Sequence, residues 1–463
     1  MADSETPSLR DLVANARAPR FFWDQATSLR YTDLDHATSL GGSLDEMAGR
    51  SVLLATAGQL TTALALIELD AIARRIVILP PDAEASHLDN VADAAGIDAV
   101  VIDHESSTNA ALNLPVCGTC LASTVPITEK RSARIHTEWV LMTSGTTGMP
   151  KMVVHDLAGL SSAIRARSVA DGASVWGTFY DIRRYGGLQI FLRAVFGGAS
   201  LVLSKAGEPV ADHLTRLAKF GVTHLSGTPS QWRRALMSPA IHAISPRYVR
   251  LSGEIADQAI LDSLGATFPQ AAIGHAYAST EAGVGFDVND GLAGFPAEYT
   301  GSIRNGVEIE VIDGSLHLRS RGVAAGYVGG KQAVADVDGF VDTGDIVERR
   351  GDRYHFIGRK SGIINIGGLK VHPEEVEAVI NRHPQVKMSH VHPKKNPVTG
   401  SIVVADVVLE SEQQGAAERL HKVREDILKL CRETLPRHKV PVAISFVPAL
   451  KVAATGKLLR RNE

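Results

Sequence analysis

Short runs rich in β-branched residues alternate with helical stretches through the first two-thirds of the chain, and this alternation restricts the fold more than any other feature. Repeated strand and helix patterns of this kind point to parallel sheets covered by helices. Ser51 to Ala57, Arg75 to Leu79 and Asp98 to Asp103 read as strands, with helices from Leu60 and His87 between them. A second series runs through Trp139 to Thr143, Ser174 to Thr178, Ser200 to Ser204, Val222 to Ser226, Tyr248 to Ser252 and Ala271 to His275. A β-rich stretch, Thr300 to Ile357, follows. The expected class is α/β, with a large multi-sheet N-terminal domain over residues 1–357.

A chain of 463 residues exceeds what one hydrophobic core usually serves, so a further domain is expected. Glycines and charge interrupt the pattern at Gly358-Arg-Lys-Ser-Gly362, as at a hinge, which is placed at residues 358–362. Beyond it come a hairpin-like segment, a helix opened by Pro373, strands at Lys387 to Val391 and Ile402 to Leu409, and a helix from Ala416 to Leu435. Residues 363–463 therefore suffice for one small α+β domain.

Composition removes several classes. Hydrophobic residues at 44% and charged residues at 21% describe an ordinary globular protein, and a net charge of -3 gives no electrostatic case for nucleic acid or an anionic membrane. The acidic N-terminus does not read as a secretory signal, and no apolar run approaches the ~20 residues that span a bilayer. Cys117 and Cys120 have C-x-x-C spacing, yet no second pair follows to complete a zinc site, so they read as incidental loop cysteines. A thiol-reducing, cytoplasmic location is expected.

Two short strings carry chemistry. Ser144, Gly145, Thr146, Thr147 and Gly148 follow a strand and precede an expected helix. Such glycines let the backbone aim amide groups at an anion, and Lys151 adds charge for a polyphosphate. The Walker pattern is absent, since Lys151 follows Pro150 rather than glycine. Near the C-terminus lies Thr455-Gly-Lys-Leu-Leu-Arg460. Alone, the first string is a turn and the second a solvated basic tail.

Together, in order, and with Tyr277-Ala-Ser-Thr-Glu281, Asp342-Thr-Gly-Asp345 and Gly358-Arg359 between them, these strings resemble the adenylate-forming superfamily. That group includes acyl-CoA synthetases, peptide-synthetase adenylation domains and firefly luciferase. The resemblance runs from Leu29-Arg-Tyr-Thr-Asp-Leu34 to Lys457. It implies that Thr143, Ser144, Gly145, Thr146, Thr147, Gly148 and Lys151 bind the phosphates of ATP, and that Gly253 and Glu254 border the adenine. Tyr277 would flank the adenine, Thr280 would bond the α-phosphate, Glu281 would help hold Mg²⁺, and Asp345 and Arg359 would bind the ribose. Lys457 would be the catalytic lysine, joined in catalysis by Thr280 and Glu281. A mobile C-terminal domain would turn about Ser361, where the family usually has Asp or Lys. Further departures are Met152 and Ala278, each at a position where the family usually has glycine.

By the same resemblance, Trp176 to Leu188 lines the acid pocket. Tyr180, Arg184, Tyr185, Ser226, Thr228, Ala276, Ala278 and Gly283 are the candidate pocket residues. Arg184 could meet a second anionic or polar group on the substrate, or Arg183 and Arg184 could both be surface charges. The implied reaction joins a small carboxylic acid to AMP and then to a thiol, with CoA ahead of the phosphopantetheine of a carrier protein. A nitrogen acceptor and a non-catalytic nucleotide-binding protein are the competing readings. An acyl carrier protein is the one macromolecular partner considered; nucleic acid and membrane are not expected.

Overall fold

The structure is a computed structural model. It describes residues 6–16, 18–106, 116–127, 134–143, 150–164, 174–330, 333–396, 400–410, 417–453 and 455–460. The alternation read from the sequence produces two large sheets. In one, the parallel strands Ala272–Ser279, Tyr248–Ser252, His224–Gly227, Val175–Thr178, Ser200–Val202 and Phe21–Trp23 lie side by side, with Gly283–Val288 and Ser28–Arg30 antiparallel at the edges. In the other, Glu138–Thr143, Arg75–Ile78, Ser51–Leu54, Ala99–Ile102 and Val116–Thr119 run parallel, flanked on one side by Lys151–His155 and Gly326–Tyr327.

Helices between the sheets fuse them. Every residue of the helix Gln59–Leu69 is buried, as expected of a helix apolar all round rather than on one stripe. One core joins its Leu60, Leu64 and Ile67 to Val52 and Ile76 of the second sheet, to Phe22 and Leu201 of the first, and to Leu188 and Phe191 of the helix Tyr185–Phe196. A third, antiparallel sheet holds Val307–Ile312, Ser315–Ser320, Val341–Arg350 and Arg353–Arg359, with a short strand at each edge. Residues after 362 build a separate core, in which Val376, Ile380, Val403, Val407, Ile427 and Cys431 are all buried. Here a three-stranded sheet, Val386–Asn396, Gly400–Leu409 and Ala443–Phe446, is joined by the helices Pro373–Ile380 and Ala417–Thr434.

Three expectations need correction. The segment after the phosphate loop is a strand, Lys151–His155, hydrogen-bonded antiparallel to Glu138–Thr143. The helix begins only at Leu157, with Asp156 accepting the amide of Gly159 at 2.6 Å. Met152, Val153 and Val154 form a β-favouring run that another strand covers, and this outweighs the helix reading. The strand Ala272–Ser279 extends past His275, so Tyr277 lies on it. Cys117 belongs to the strand Val116–Thr119 rather than a loop. Cys117 is exposed while Cys120 is buried, where its thiol approaches Ser39 Oγ at 3.5 Å and burial pushes it up to about 12.

Candidate active site

The carboxyl ends of the parallel strands are where an open α/β sheet offers ligand-binding loops. The loops after His224–Gly227 and Tyr248–Ser252 receive the chain's C-terminal turn there. Val452 bridges Leu458, and the Ala453 amide donates to the Lys457 carbonyl at 2.8 Å, so a tight turn presents Lys457. Three contacts seat it. Thr228 Oγ1 donates to the Gly456 carbonyl at 2.5 Å, and Glu254 Oε1 accepts the Leu458 amide at 2.8 Å. The Lys457 stem lies over Gly253, where an added Cβ would stand 3.3 Å from Cε.

The turn has no room to spare. Gly456 has φ +77°, and a Cβ there would come within 2.2 Å of Gln231 Nε2. Gln231 is itself held: its Nε2 donates to the Phe179 carbonyl and its Oε1 accepts the Thr228 amide, both at 2.8 Å. Lys457 is exposed as a residue, but desolvation around its ammonium lowers its pKa, the charges of Arg359 and Arg184 lower it further, and Glu254 and Asp345 oppose the shift. Sequence reasoning missed Gln231 altogether. The Thr228-Pro-Ser-Gln231 spacing of a capping box was its one visible signal, and that box is present.

A second group forms around Asp345. The phenol of Tyr277 donates to Asp345 Oδ2 at 2.5 Å, and Arg359 Nε lies 2.8 Å from Oδ1. Ladder register sets this pairing, because Asp345 stands directly opposite Arg359. The Tyr277 ring stacks with Phe356 at 5.4 Å and Phe286 at 5.6 Å, which fixes its position, and its phenol is held far above the ordinary range by burial.

The phosphate-loop residues Ser144 to Gly148 lie outside the described residues. Their two anchors are described: Thr143 and Lys151 face each other in register, so the loop joins two antiparallel strands. Lys151 Nζ stands 5.5 Å from the centre of the Tyr327 ring. Burial, and after it the charge of Glu281, raise the Tyr327 phenol, and the same carboxylate also acts on Arg359, so Glu281 is within electrostatic reach of both. The Thr280 carbonyl lies 2.8 Å from His155 Nε2. His155 is 2% exposed, and burial lowers its pKa to about 4, so it is neutral near pH 7.

The predicted acid-pocket residues fall into two sets. Tyr180 and Ser226 are buried at the strand ends, and the Tyr180 hydroxyl donates to the Ser252 carbonyl at 2.7 Å. Ala276 pairs with Ser252 in register and Ala278 packs against the main core. Tyr185 is buried, its ring 5.9 Å from that of His155. Gly283 is different: a Cβ there would meet the Gly322 carbonyl at 2.5 Å, and φ is +77°, so this glycine serves a close backbone approach. Arg184 forms an ion pair with Asp82, and its charge contributes a small lowering to the Lys457 pKa.

The surface-charge reading of Arg183 is overturned. It is 4% exposed, forks onto both oxygens of Asp181 and donates to the carbonyls of Thr56 and Ala57. Arg184 is only partly exposed, with its side chain at 19%. Ser361 lies in the short 3-10 turn Lys360–Gly362, just after the ladder ends at Arg359, and Lys360 pairs with Asp342 at 2.8 Å.

Family comparison follows the same division of the chain. A model described as AMP-binding enzyme matches residues 48–328, and one described as AMP-binding enzyme C-terminal domain matches residues 375–457. Similar sequences include 4-coumarate–CoA ligase 2 of Oryza sativa subsp. japonica, 27% identical over 69% of this chain and 60% of that protein. Another is the 2-succinylbenzoate–CoA ligase of Listeria monocytogenes, 29% identical over 70% of this chain and 68% of that protein. The matched region thus spans 60% to 68% of the length of these relatives.

Two solved structures share the fold. A benzoate CoA ligase from Burkholderia xenovorans LB400 superposes with a TM-score of 0.80, at 20% identity, over 98% of this chain and 99% of that one. The amide bond synthetase McbA from Marinactinospora thermotolerans gives 0.78, at 19% identity, over 97% of each chain.

Proposed function

We propose, from the premise that this chain belongs to the AMP-binding enzyme family, that it activates a carboxylic acid with ATP and passes the acyl group to a thiol, with CoA as the acceptor. One observation carries this reading. Lys457, from the extreme C-terminal part of the chain, is seated over Gly253 between Thr228 and Glu254, close enough to Asp345 and Arg359 to feel their charges. In the first half-reaction the acid's carboxylate attacks the α-phosphorus of ATP, and pyrophosphate leaves. Both reactants are anionic, so a held ammonium brings them together and offsets charge that grows in the transition state.

The other residues divide the work. Thr143, Lys151 and the intervening loop would bind phosphates, with Thr280 toward the α-phosphate. Gly253, Glu254 and Tyr277 would border the adenine, although the Glu254 carboxylate is also engaged by Ser230 and Leu458. Asp345 would accept from the ribose hydroxyls, competing with Arg359 and Tyr277 for its oxygens. Glu281 fits Mg²⁺: its carboxylate has no hydrogen-bond or ion-pair partner among the described residues, and a hard cation takes a carboxylate together with phosphate oxygens. Bound there, the ion would neutralise the departing pyrophosphate.

The second half-reaction breaks the acyl–phosphate bond of the adenylate, as a thiolate attacks the carbonyl carbon and AMP leaves. Residues 363–463 would turn about 358–362 between the two steps. Carboxylate-dependent ATP–pyrophosphate exchange across aryl, short acyl and amino acids tests the first step; the same acids with CoA, a phosphopantetheinylated carrier or an amine identify the acceptor. A folded, ATP-binding protein that exchanges with none of a broad panel would refute the ligase reading and favour nucleotide binding alone.

A further inference from the structure

A cavity of about 440 Å³ lies where the C-terminal part of the helix Tyr185–Phe196 meets the first large sheet and the edge of the third, at Arg304 and Val307. Trp176, Tyr248 and Phe286 give it aromatic walls, and Arg193, Arg250 and Asp287 bring charge into it. Arg250 is ion-paired with Asp287. Arg193 is not so served: its Nε and Nη2 are buried and have no hydrogen-bond partner among the described residues. Arg304, which also lines the cavity, is paired with Glu298, so Arg193 is left as an excess of one positive charge. An unmatched guanidinium in such a place is costly unless an anion completes it. Burial and the neighbouring charge of Arg250 bring Arg193 down only to about 10, so it remains charged at neutral pH.

One helix and one strand run from the cavity toward the lysine end of the site. Gly186, Ile190 and Arg193 follow one another at helical spacing, four residues and then three, so they share a face. A Cβ on Gly186 would lie 3.7 Å from the Tyr180 ring, and the Tyr180 hydroxyl is bonded to Ser252, next to the Gly253 that Lys457 covers. Ser252 and Arg250 alternate on one face of their strand. From Gly186 to Arg193 the helix rises about 10 Å.

We propose that this chamber is the distal end of the acid site and that Arg193, beside Arg250, receives an oxyanion there. The favoured acid then carries a second carboxylate or similar anionic group at the far end of a spacer on the order of the 10 Å that the helix rises from Gly186 to Arg193. This rests on the ligase reading for the identity of the near end. The anion has two conceivable sources, the far end of the acid itself or a free small anion completing the chamber around a mono-acid.

The test compares suberate with octanoate and biphenyl-4,4′-dicarboxylate with biphenyl-4-carboxylate, in ATP–pyrophosphate exchange and in direct calorimetric binding to the full chain. Wild-type protein should favour the diacid of at least one pair by tenfold or more in kcat/KM. Arg193→Met should remove that preference with ATP affinity unchanged, and Arg193→Lys should restore part of it. Asp287→Asn, which keeps both arginines, should bind suberate severalfold more tightly. Saturable stimulation of octanoate exchange by inorganic phosphate, present in wild type and lost in Arg193→Met, would support the chamber with a free anion as its source. Diacid preference, phosphate response and suberate binding all indifferent to Arg193→Met and Asp287→Asn would overturn the proposal and leave the ligase reading standing. Arg193-dependent suberate binding without exchange from any acid would uphold the chamber and count against the ligase reading.

Discussion

Replacing Gly456 with alanine should separate the docking of Lys457 from the chemistry of its ammonium. Two costs add. Holding an L-residue at φ +77° costs roughly 1 kcal/mol. The new Cβ would also overlap Gln231 Nε2 at 2.2 Å, and moving that amide breaks bonds to Phe179 and Thr228. Each such bond contributes about 0.5–1.5 kcal/mol. The total against the docked turn is about 2–4 kcal/mol, which corresponds to a 30- to 900-fold fall in adenylation rate at 1.36 kcal/mol per decade. The loss appears in full where the docked turn is the minor species and is about halved where docked and withdrawn turns are equally populated.

The assay is ATP–pyrophosphate exchange, set beside single-turnover acyl transfer from preformed acyl-adenylate, which does not need Lys457 in place. Exchange should collapse and transfer should persist. A second variant isolates the steric part: in a Gln231→Ala background the overlap disappears, so Gly456→Ala should cost only the backbone component, about fivefold. Exchange within threefold of wild type for Gly456→Ala, or an equal loss in both backgrounds, would refute the reasoning.

Other tests follow from the same geometry. Lys457→Ala should lower exchange by about 10²- to 10³-fold while the melting temperature and ATP affinity stay near wild type; an intact rate would remove the lysine from the mechanism. Asp345→Asn should weaken ATP by roughly tenfold or more, read by calorimetry, because a charged acceptor of ribose hydroxyls is lost. His155 sets a pH effect on stability. Unfolded, its imidazole takes a proton near pH 6.5, but folded only near 4, so between these values the unfolded chain binds more protons and stability rises with pH. That group alone should remove roughly 3 kcal/mol between pH 7 and pH 4. Urea titrations of wild type and His155→Gln should differ by a slope confined to this window, and parallel slopes would contradict the assignment.

Much of the fold was legible because local and global preferences agree. Ser51–Leu54 and Arg75–Ile78 are continuous β-favouring runs with most or all positions buried, and the sequence period gives them away. Lys151–His155 was misread because its partners, Glu138–Thr143 and Gly326–Tyr327, are respectively a loop's length and more than a hundred and fifty residues away, and neither announces a pairing. The candidate site was visible as motifs in order, since Tyr277, Asp345, Arg359 and Lys457 each sit in a short recognisable string. What joins them was not visible. Gln231 and Thr228 hold the lysine turn by contacts with Gly456 across more than two hundred residues, and no local pattern encodes that distance. Arg193 was hidden differently, as one charged residue in a helix whose other residues are mostly buried and apolar.

The place where the β-ladder ends also bears on the order in which products depart. Asp345 and Arg359 face one another across the final rung before the Lys360–Gly362 turn. A pivot at that turn lies outboard of the rung, as a door's pin lies outside its frame. Swinging the C-terminal segment would carry off Lys457 yet leave Asp345, the carboxylate proposed for the ribose, where it was. The nucleotide would then stay anchored throughout the exchange of half-reactions, and AMP would be the last species to leave. Product-inhibition patterns that place AMP release ahead of thioester release would contradict that order.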